Sequence, residues 1–335
     1  MSELGAKLMD YLSTAQGKRV TLRDLKTYLG IANGSKEEAT LRSLMSRTMV
    51  ERKIVSPSGW NDGTYKVVKQ VKPVQVYGIG RERRPPFELV FPKDYDTRMQ
   101  MDFANDVVVR EGDLILISGM SNFGKTLLCL SFCGENIDQR PVLMGNEYTA
   151  LDDEPAERFM NRLDDMSDIN PLGWVNWVDE AGMDKFTLLP VREDYAEHIV
   201  RDRINIIDWL NLSGEYYMIS PVMEAIKKAL GRGICIIAIQ KNEGNTAGRG
   251  GAPSKDFADL ELLIDRVGKT DVLLTVGKCK ESTKPITGNT YSYGIQRGIK
   301  IINFREVKTC PECNGQGFTK RGKCEECYGN KFVDK

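Results

Sequence analysis

The sequence predicts an α/β protein in which a mostly parallel sheet with flanking helices is preceded by a small α+β domain and followed by a cysteine-rich module. Between residues 96 and 306, continuous apolar runs alternate with helical patterns, as expected for strands buried on both faces of a parallel sheet. Three helical patterns and a hairpin pattern occupy residues 1–72, and two Cys-x-x-Cys pairs lie in residues 307–335. The predicted strands are Leu114–Ser118, Pro141–Gly145, Ile204–Ile207, Ile234–Ile239 and Val272–Val276.

Composition restricts the class of protein. The chain has a formal net charge of zero, and its 335 residues are enough for two or three domains. No apolar run approaches the ~18 residues that span a bilayer, and residues 1–10 lack the layout of a signal peptide. We therefore expect a cytoplasmic protein without a membrane partner.

The charge is unevenly distributed along the chain. Residues 1–84 carry sixteen Lys or Arg against eight Asp or Glu, whereas residues 134–214 carry seven against eighteen. Residues 73–95 contain four prolines and three arginines and are predicted to form a stiff, basic linker. This asymmetry favours a part that faces nucleic acid joined to a part with another task. The alternative is that the basic and the acidic segments are both ordinary solvated surfaces.

Residues 1–72 have the layout of a winged helix, which is three helices followed by a hairpin. The third helical pattern begins at Ser35, with Glu38 placed to complete a capping box. In a winged helix this element enters the DNA major groove, where it would present Arg42 and Arg47. Docking on another protein is the alternative. The helical patterns and the hairpin turn cover residues 6–14, 22–29, 35–52 and 57–63.

A phosphate-binding pattern follows the first predicted strand of the large domain. The segment fits G-x-x-x-x-G-K-[ST] at every defined position and lies between a strand and a helix, which is the context that the pattern requires. Glycines let backbone N–H groups surround phosphates, the lysine neutralises their charge, and the hydroxyl binds Mg²⁺. The predicted ATP-binding residues are Gly119, Met120, Ser121, Asn122, Phe123, Gly124, Lys125 and Thr126.

Two carboxylates complete the predicted ATP site. Asp208 follows an apolar strand and is the expected second support for Mg²⁺, acting through water. Hydrolysis also needs a group that orients and deprotonates the attacking water. Glu147, which follows another predicted strand, is the candidate for that role.

Over residues 96–306 these motifs resemble those of DnaB-type replicative helicases and their RecA-superfamily relatives. In that family, the strand after the P-loop helix ends in an exposed Glu, here Glu147, and a helix rich in Glu and Arg follows. Asp208-Trp209-Leu210 is similar to the family's second carboxylate motif, and Gln240 ends a strand similar to its sensor strand. The resemblance implies a RecA-like fold and an ATP-driven motor that acts on DNA as a ring or filament of identical subunits.

The same resemblance implies a contact between subunits. Gly277–Lys280 followed by Pro285–Gly288 is similar to the K-x-[KR]…GPTG segment of the family. In the family this segment sends basic side chains to the ATP of the neighbouring subunit, so Lys278 or Lys280 is implied to be a trans-acting finger. A surface hairpin with ordinary charges is the alternative.

The segment after Gln240 is rich in glycine and lacks apolar periodicity, so we expect a mobile loop. RecA-like proteins place a DNA-binding loop after this strand, and Lys241, Arg249 and Lys255 are suited to follow the phosphate backbone of single-stranded DNA. A lid or a plain connection is the alternative. Residues 211–220 would form a second loop whose two tyrosines stack on bases or pack in the interior.

Four cysteines near the C-terminus have the spacing C-x2-C-x10-C-x2-C, which suits tetrahedral Zn²⁺. Glycines follow each pair and permit turns that aim backbone N–H groups at sulfur. The motif resembles the cysteine-rich region of DnaJ-type chaperones, with Lys331 in place of the last glycine. Redox-active thiols are the alternative. The predicted zinc ligands are Cys310, Cys313, Cys324 and Cys327.

The leading functional hypothesis is an ATP-hydrolysing, DNA-binding motor. It would be a DnaB-like helicase or translocase in the replication or recombination of a phage or mobile element. The alternative is an ATP-switched DNA-binding adaptor or loader that does not unwind DNA. A small-molecule kinase fits poorly, because it assigns no role to the N-terminal domain or to the four cysteines.

Overall fold

The computed structural model describes residues 3–59, 63–71, 73–74, 76–77, 83–145, 147–150, 154–170, 173–211, 218–241, 252–267 and 271–335. The chain divides into two compact units, Met1–Arg83 and Arg84–Lys335. Among the described residues, no helix is both long enough and apolar enough to cross a bilayer.

The first unit contains the three helices and the hairpin that the sequence predicts, together with one strand that it does not. The additional strand precedes the second helix and pairs with the second hairpin strand, which gives a three-stranded antiparallel sheet with the second hairpin strand in the middle. Leu8, Leu25 and Leu41, one from each helix, are fully buried against this sheet. The elements are α1 (Glu3–Thr14), β1 (Arg19–Thr21), α2 (Leu22–Leu29), α3 (Lys36–Ser43), β2 (Val55–Pro57) and β3 (Thr64–Val67).

The third helix differs from the prediction at both ends. The Ser35 hydroxyl accepts a hydrogen bond from the Glu38 N–H, but the Glu38 carboxylate accepts from the Gly34 N–H, so the predicted capping box is incomplete. The complete capping box is formed by Thr21 and Asp24 at the start of α2. After Ser43, a π-helical segment, Leu44–Met49, continues the helix with wider turns.

The second unit is built on a sheet of ten strands in the described part of the chain. The strands are β4 (Leu114–Gly119), β5 (Val142–Met144), β6 (Thr187–Leu189), β7 (Ile204–Ile207), β8 (Ile234–Gln240), β9 (Leu260–Val267), β10 (Asp271–Cys279), β11 (Thr290–Gln296), β12 (Lys300–Thr309) and β15 (Phe332–Asp334), with a separate hairpin of β13 (Phe318–Thr319) and β14 (Gly322–Lys323). Their order in the large sheet is β15-β12-β11-β10-β9-β4-β8-β7-β5-β6. From β9 to β6 neighbouring strands are parallel, and from β15 to β9 they are antiparallel.

Helices cover both faces of the parallel part. The helices of this unit are α4 (Lys125–Glu135), α5 (Glu157–Met166), α6 (Ile219–Ala229) and α7 (Ala252–Phe257). Ile115 and Ile117 of β4 join the apolar cluster that contains α4 and α5, whereas Leu114 and Leu116 join the cluster that contains α6. Every residue of β4 is therefore buried, which is why its sequence is continuously apolar rather than alternating.

One of the predicted strands is not of the doubly buried, parallel type. Val272–Val276 lies in β10, which is antiparallel to both of its neighbours. Its residues alternate between buried and half-buried positions. A short apolar run does not distinguish these two strand types.

The second unit also includes segments that the sequence assigns elsewhere. Phe91, in the predicted linker, is 2% exposed and belongs to the main core. Val90, also in that segment, forms two hydrogen bonds with the Asn136 side chain. Its N–H donates to the Asn136 Oδ1 at 2.9 Å, and its carbonyl accepts from the Asn136 Nδ2 at 2.7 Å. In the cysteine-rich segment, β15 pairs with β12 and extends the large sheet. Residues 84–95 and 307–335 thus pack with the domain predicted over 96–306.

Candidate functional site

A cleft of about 390 Å³ lies at the carboxyl ends of the parallel strands. Gly119 ends β4, Asp208 directly follows β7, and Gln240 ends β8. Open parallel sheets bind ligands at this edge. The cleft is lined by Ser121, Asn122, Gly124, Lys125, Thr126, Leu127, Glu147, Arg158, Arg162, Asp208, Trp209, Gln240, Ile295 and Gly298.

The loop between β4 and α4 forms one wall of the cleft. Asn122 and Gly124 have left-handed backbone conformations, with φ of 65° and 91°, and α4 begins at the next residue, Lys125. The Lys125 ammonium donates to the carbonyls of Gly119 and Met120 at 3.0 and 2.7 Å. A Cβ at Gly119 would lie 2.3 Å from Cγ1 of Ile264, so this position requires glycine. Of the predicted phosphate-binding residues, Phe123 packs against the core.

Asp208 forms the floor of the cleft and is 2% exposed. Its Oδ2 accepts a hydrogen bond from the Tyr148 hydroxyl at 2.7 Å, while its Oδ1 is buried and has no hydrogen-bond partner among the described residues. Burial raises the pKa of Asp208, and the hydroxyls of Tyr148 and Thr126 act in the opposite direction. An unsatisfied carboxylate oxygen next to a threonine hydroxyl provides oxygen donors of the kind that Mg²⁺ prefers.

Glu147 and Gln240 lie at the same cleft. Glu147 is exposed, so water can reach its carboxylate. The Gln240 amide donates to the Ser121 hydroxyl at 2.7 Å, which joins the end of β8 to the loop after β4. Lys125, Thr126, Glu147, Asp208 and Gln240, which are distant in sequence, are thus brought together at the predicted site.

Sequence reasoning missed two arginines in this cleft. Arg158 and Arg162 are four residues apart on α5 and line the cleft beside Lys125. Neither has a hydrogen bond or an ion pair with any residue in the described ranges. The sequence did contain a signal for this pair, because residues four apart share one face of a helix. The apolar Phe159 and Leu163, which are buried, lie on another face of α5.

The two lysines implied to act between subunits contact groups of their own chain. The Lys278 ammonium donates to the carbonyls of Lys255 and Asp256 at 2.7 and 3.1 Å. The Lys280 ammonium donates to Asp259 at 2.6 Å. Neither side chain lines the cleft of its own chain, and the role in a neighbouring subunit remains a prediction.

The predicted DNA contacts fall into different environments. The Lys241 side chain is 4% exposed and forms a 2.5 Å ion pair with Asp265, which argues against a phosphate contact by Lys241. Lys255 lies 3.5 Å from the buried Glu261 carboxylate. Arg249 and the tyrosines of the second loop lie outside the described residues.

In the first unit, the two candidate DNA-binding arginines also differ. Arg42 forms a 2.9 Å ion pair with Glu38. Arg47 is exposed and has no hydrogen bond or ion pair within the described part of the unit. Arg47 is therefore the better placed of the two to contact an external phosphate.

The four C-terminal cysteines form a cluster that could hold a metal ion such as zinc. Their sulfur atoms all lie within 4.8 Å of one another, and all four residues are buried. The sulfurs of Cys310 and Cys324 are 3.8 Å apart, and those of Cys313 and Cys327 are 3.6 Å apart. The Gly317 N–H donates to the Cys313 sulfur at 3.3 Å. Four convergent thiols with an N–H donor to sulfur fit a structural zinc site.

No family model matches this chain, and no curated protein matches it with significance.

Proposed function

We propose that the second unit binds and hydrolyses ATP with Mg²⁺ in the cleft at the end of the parallel strands. One observation carries this proposal: Lys125, Thr126, Glu147 and Asp208 meet in one cleft, where no residue that the structure describes pairs with the buried Oδ1 of Asp208. A lysine, a hydroxyl and two carboxylates are the groups that phosphoryl transfer to water requires.

Each of these side chains has a defined task in the proposed reaction. Backbone N–H groups of residues 119–126 and the Lys125 ammonium bind the phosphates. Thr126 and Asp208 would hold Mg²⁺, which neutralises charge on the phosphate oxygens. Glu147 accepts a proton from the attacking water and orients it. Gln240, bonded to Ser121, is placed to link the state of the nucleotide to the strand β8.

We further propose that the ATPase drives a motor on DNA, in the manner of DnaB-like and RecA-like proteins. The first unit, with its three helices and three-stranded sheet, is interpreted as a winged helix that contacts duplex DNA through the segment carrying Arg47. Support comes from the basic charge of residues 1–84 and from the exposed side chain of Arg47. A homo-oligomer, ring or filament, would complete the motor.

Steady-state ATP hydrolysis with and without single-stranded DNA tests this proposal. We expect hydrolysis that requires Mg²⁺, is stimulated several-fold by DNA, and falls at least about a hundredfold in Lys125→Ala and Glu147→Gln. Arg192→Ala, which removes an exposed arginine away from the cleft, is the matched control and should hydrolyse ATP normally. Hydrolysis that persists in both cleft variants would exclude this site.

The second candidate function is an ATP-dependent switch that recruits other proteins to DNA without unwinding it. The hydrogen bonds of Lys278 and Lys280 within their own chain favour it, because a motor of this type needs basic side chains directed at a neighbouring subunit. A forked-duplex assay separates the two candidates. A motor displaces the strand in an ATP-dependent manner, whereas a switch binds DNA and hydrolyses ATP without displacement.

A further inference from the structure

Two consecutive residues after β5 point in opposite directions. Glu147 is exposed in the cleft, whereas Tyr148 is 1% exposed. The Tyr148 hydroxyl donates to Oδ2 of Asp208 at 2.7 Å, across 60 residues of sequence. A short segment thus supplies the candidate base and, beneath it, a hydrogen bond to the carboxylate on the cleft floor.

The position of the Tyr148 ring is fixed by its surroundings. The ring packs on Phe159 of α5, with centroids 4.8 Å apart. A Cβ at Gly145 would lie 2.2 Å from the Asp208 carbonyl oxygen and 3.0 Å from Cε2 of Tyr148. The strand end, the tyrosine ring and the aspartate backbone therefore approach each other at a distance that only glycine permits.

Burial alone does not account for this hydrogen bond. Tyr293 is also fully buried, yet its hydroxyl has no hydrogen-bond partner within the described part of the chain. A buried tyrosine hydroxyl is therefore not always paired with another described group in this structure. The Tyr148 hydroxyl, by contrast, is directed at one oxygen of a carboxylate whose other oxygen is buried and pairs with none of the described groups.

We propose that Tyr148 is a positioning residue for the metal-binding carboxylate: it holds Oδ2 of Asp208 so that Oδ1 is presented to Mg²⁺ beside Thr126. This inference rests on the proposed function of the cleft. A half-turn of the carboxylate only exchanges its two equivalent oxygens, but any smaller rotation would break the Tyr148 bond and leave a buried oxygen without that partner, which is costly. The tyrosine therefore restricts the carboxylate to one orientation before the metal binds.

The test compares the Mg²⁺ dependence of nucleotide binding in wild type, Tyr148→Phe and Tyr291→Phe. Tyr291 is a matched control, because it is buried on β11 and lies outside the cleft lining. Binding of a fluorescent, non-hydrolysable ATP analogue is measured in EDTA and over a Mg²⁺ titration. Thermal unfolding with and without EDTA separates the effect of each substitution on the fold from the effect of removing a metal from the cysteine cluster.

We expect the three proteins to bind the analogue equally in EDTA. In Tyr148→Phe the Mg²⁺ concentration for half-saturation should rise about tenfold or more, as is usual when a partner of a metal ligand is lost, while Tyr291→Phe resembles wild type. Equal Mg²⁺ dependence in Tyr148→Phe and wild type would overturn the inference, as would a loss of affinity already present in EDTA. Wild type that binds no analogue under any condition would overturn the proposed nucleotide site itself.

Discussion

Arg158 and Arg162 add two positive charges to the cleft that contains Lys125. Arginine forms paired hydrogen bonds with phosphate, and neither side chain is engaged by a described residue of its own chain. The two arginines would then supply, within one chain, part of the positive charge that the family resemblance assigns to a neighbouring subunit.

Substitution of these arginines should weaken binding of the terminal phosphates. A hydrogen bond to a charged group contributes about 1.5–3 kcal/mol, so Arg162→Ala and Arg158→Ala should each lower ATP affinity roughly tenfold or more. Affinity for AMP should change little. Competition binding with ATP, ADP and AMP measures this, with Arg192→Ala as the control. ATP affinity that is unchanged in the double variant would show that the arginines serve another purpose.

At the scale of elements, Glu38 connects α3 to α2 and to the turn between them. Its Oε1 accepts from Lys26 at 3.0 Å and from Arg42 at 2.9 Å, and its Oε2 accepts from the Gly34 N–H at 2.7 Å. These hydrogen bonds lower the pKa of Glu38 from 4.5 to about 2. The Gly34 N–H makes the largest contribution, followed by the side chains of Lys26 and Arg42. The same carboxylate pairs with Arg42, so Arg42 is less available than Arg47 to an external group.

This network predicts a defined dependence of stability on pH. Because the folded-state pKa lies below the unfolded value, Glu38 stabilises the fold above pH 4.5, and this contribution is lost as the pH falls towards about 2. Glu38→Gln should therefore lower the unfolding midpoint at neutral pH, and the difference from wild type should shrink through that window. Glu37→Gln, an exposed neighbour without a partner among the described residues, is the control. A difference that does not vary with pH would contradict the assignment.

For the whole molecule, the cysteine cluster is continuous with the large sheet. β12 ends at Thr309, directly before Cys310, and β15 returns to pair with it. Binding of a metal by all four cysteines would close residues 310–327 into one module and fix both strands that lead into it. Metal binding and the antiparallel edge of the sheet should thus be coupled.

We expect one zinc per chain, measured by elemental analysis of the purified protein. Cys313→Ser should lose the metal and lower the unfolding temperature by about 5 °C or more, because a structural metal stabilises only the folded state. Cys279→Ser, which changes a half-buried cysteine outside the cluster, should keep it. Purified protein that lacks zinc and melts at the same temperature with and without chelator would contradict a structural site.

Much of the candidate site could be predicted because its signals are local. The loop of residues 119–126 and the spacing of the four cysteines are patterns of adjacent residues, and short-range geometry determines what they can bind. Asp208 and Glu147 could be placed because parallel strands bring their carboxyl ends to one edge. The buried runs of β4, β7 and β8 likewise identified the centre of the sheet.

The remaining features depend on contacts between residues far apart in sequence. The hydrogen bond from Tyr148 to Asp208, the burial of Lys241 against Asp265, and the addition of β15 to β12 have no local signature. The sequence by itself determined the central sheet, the predicted nucleotide loop and the cysteine cluster. Only the tertiary structure decided which side chains face the cleft and which are buried, because that outcome is set by how distant elements pack together and compete for the same partners.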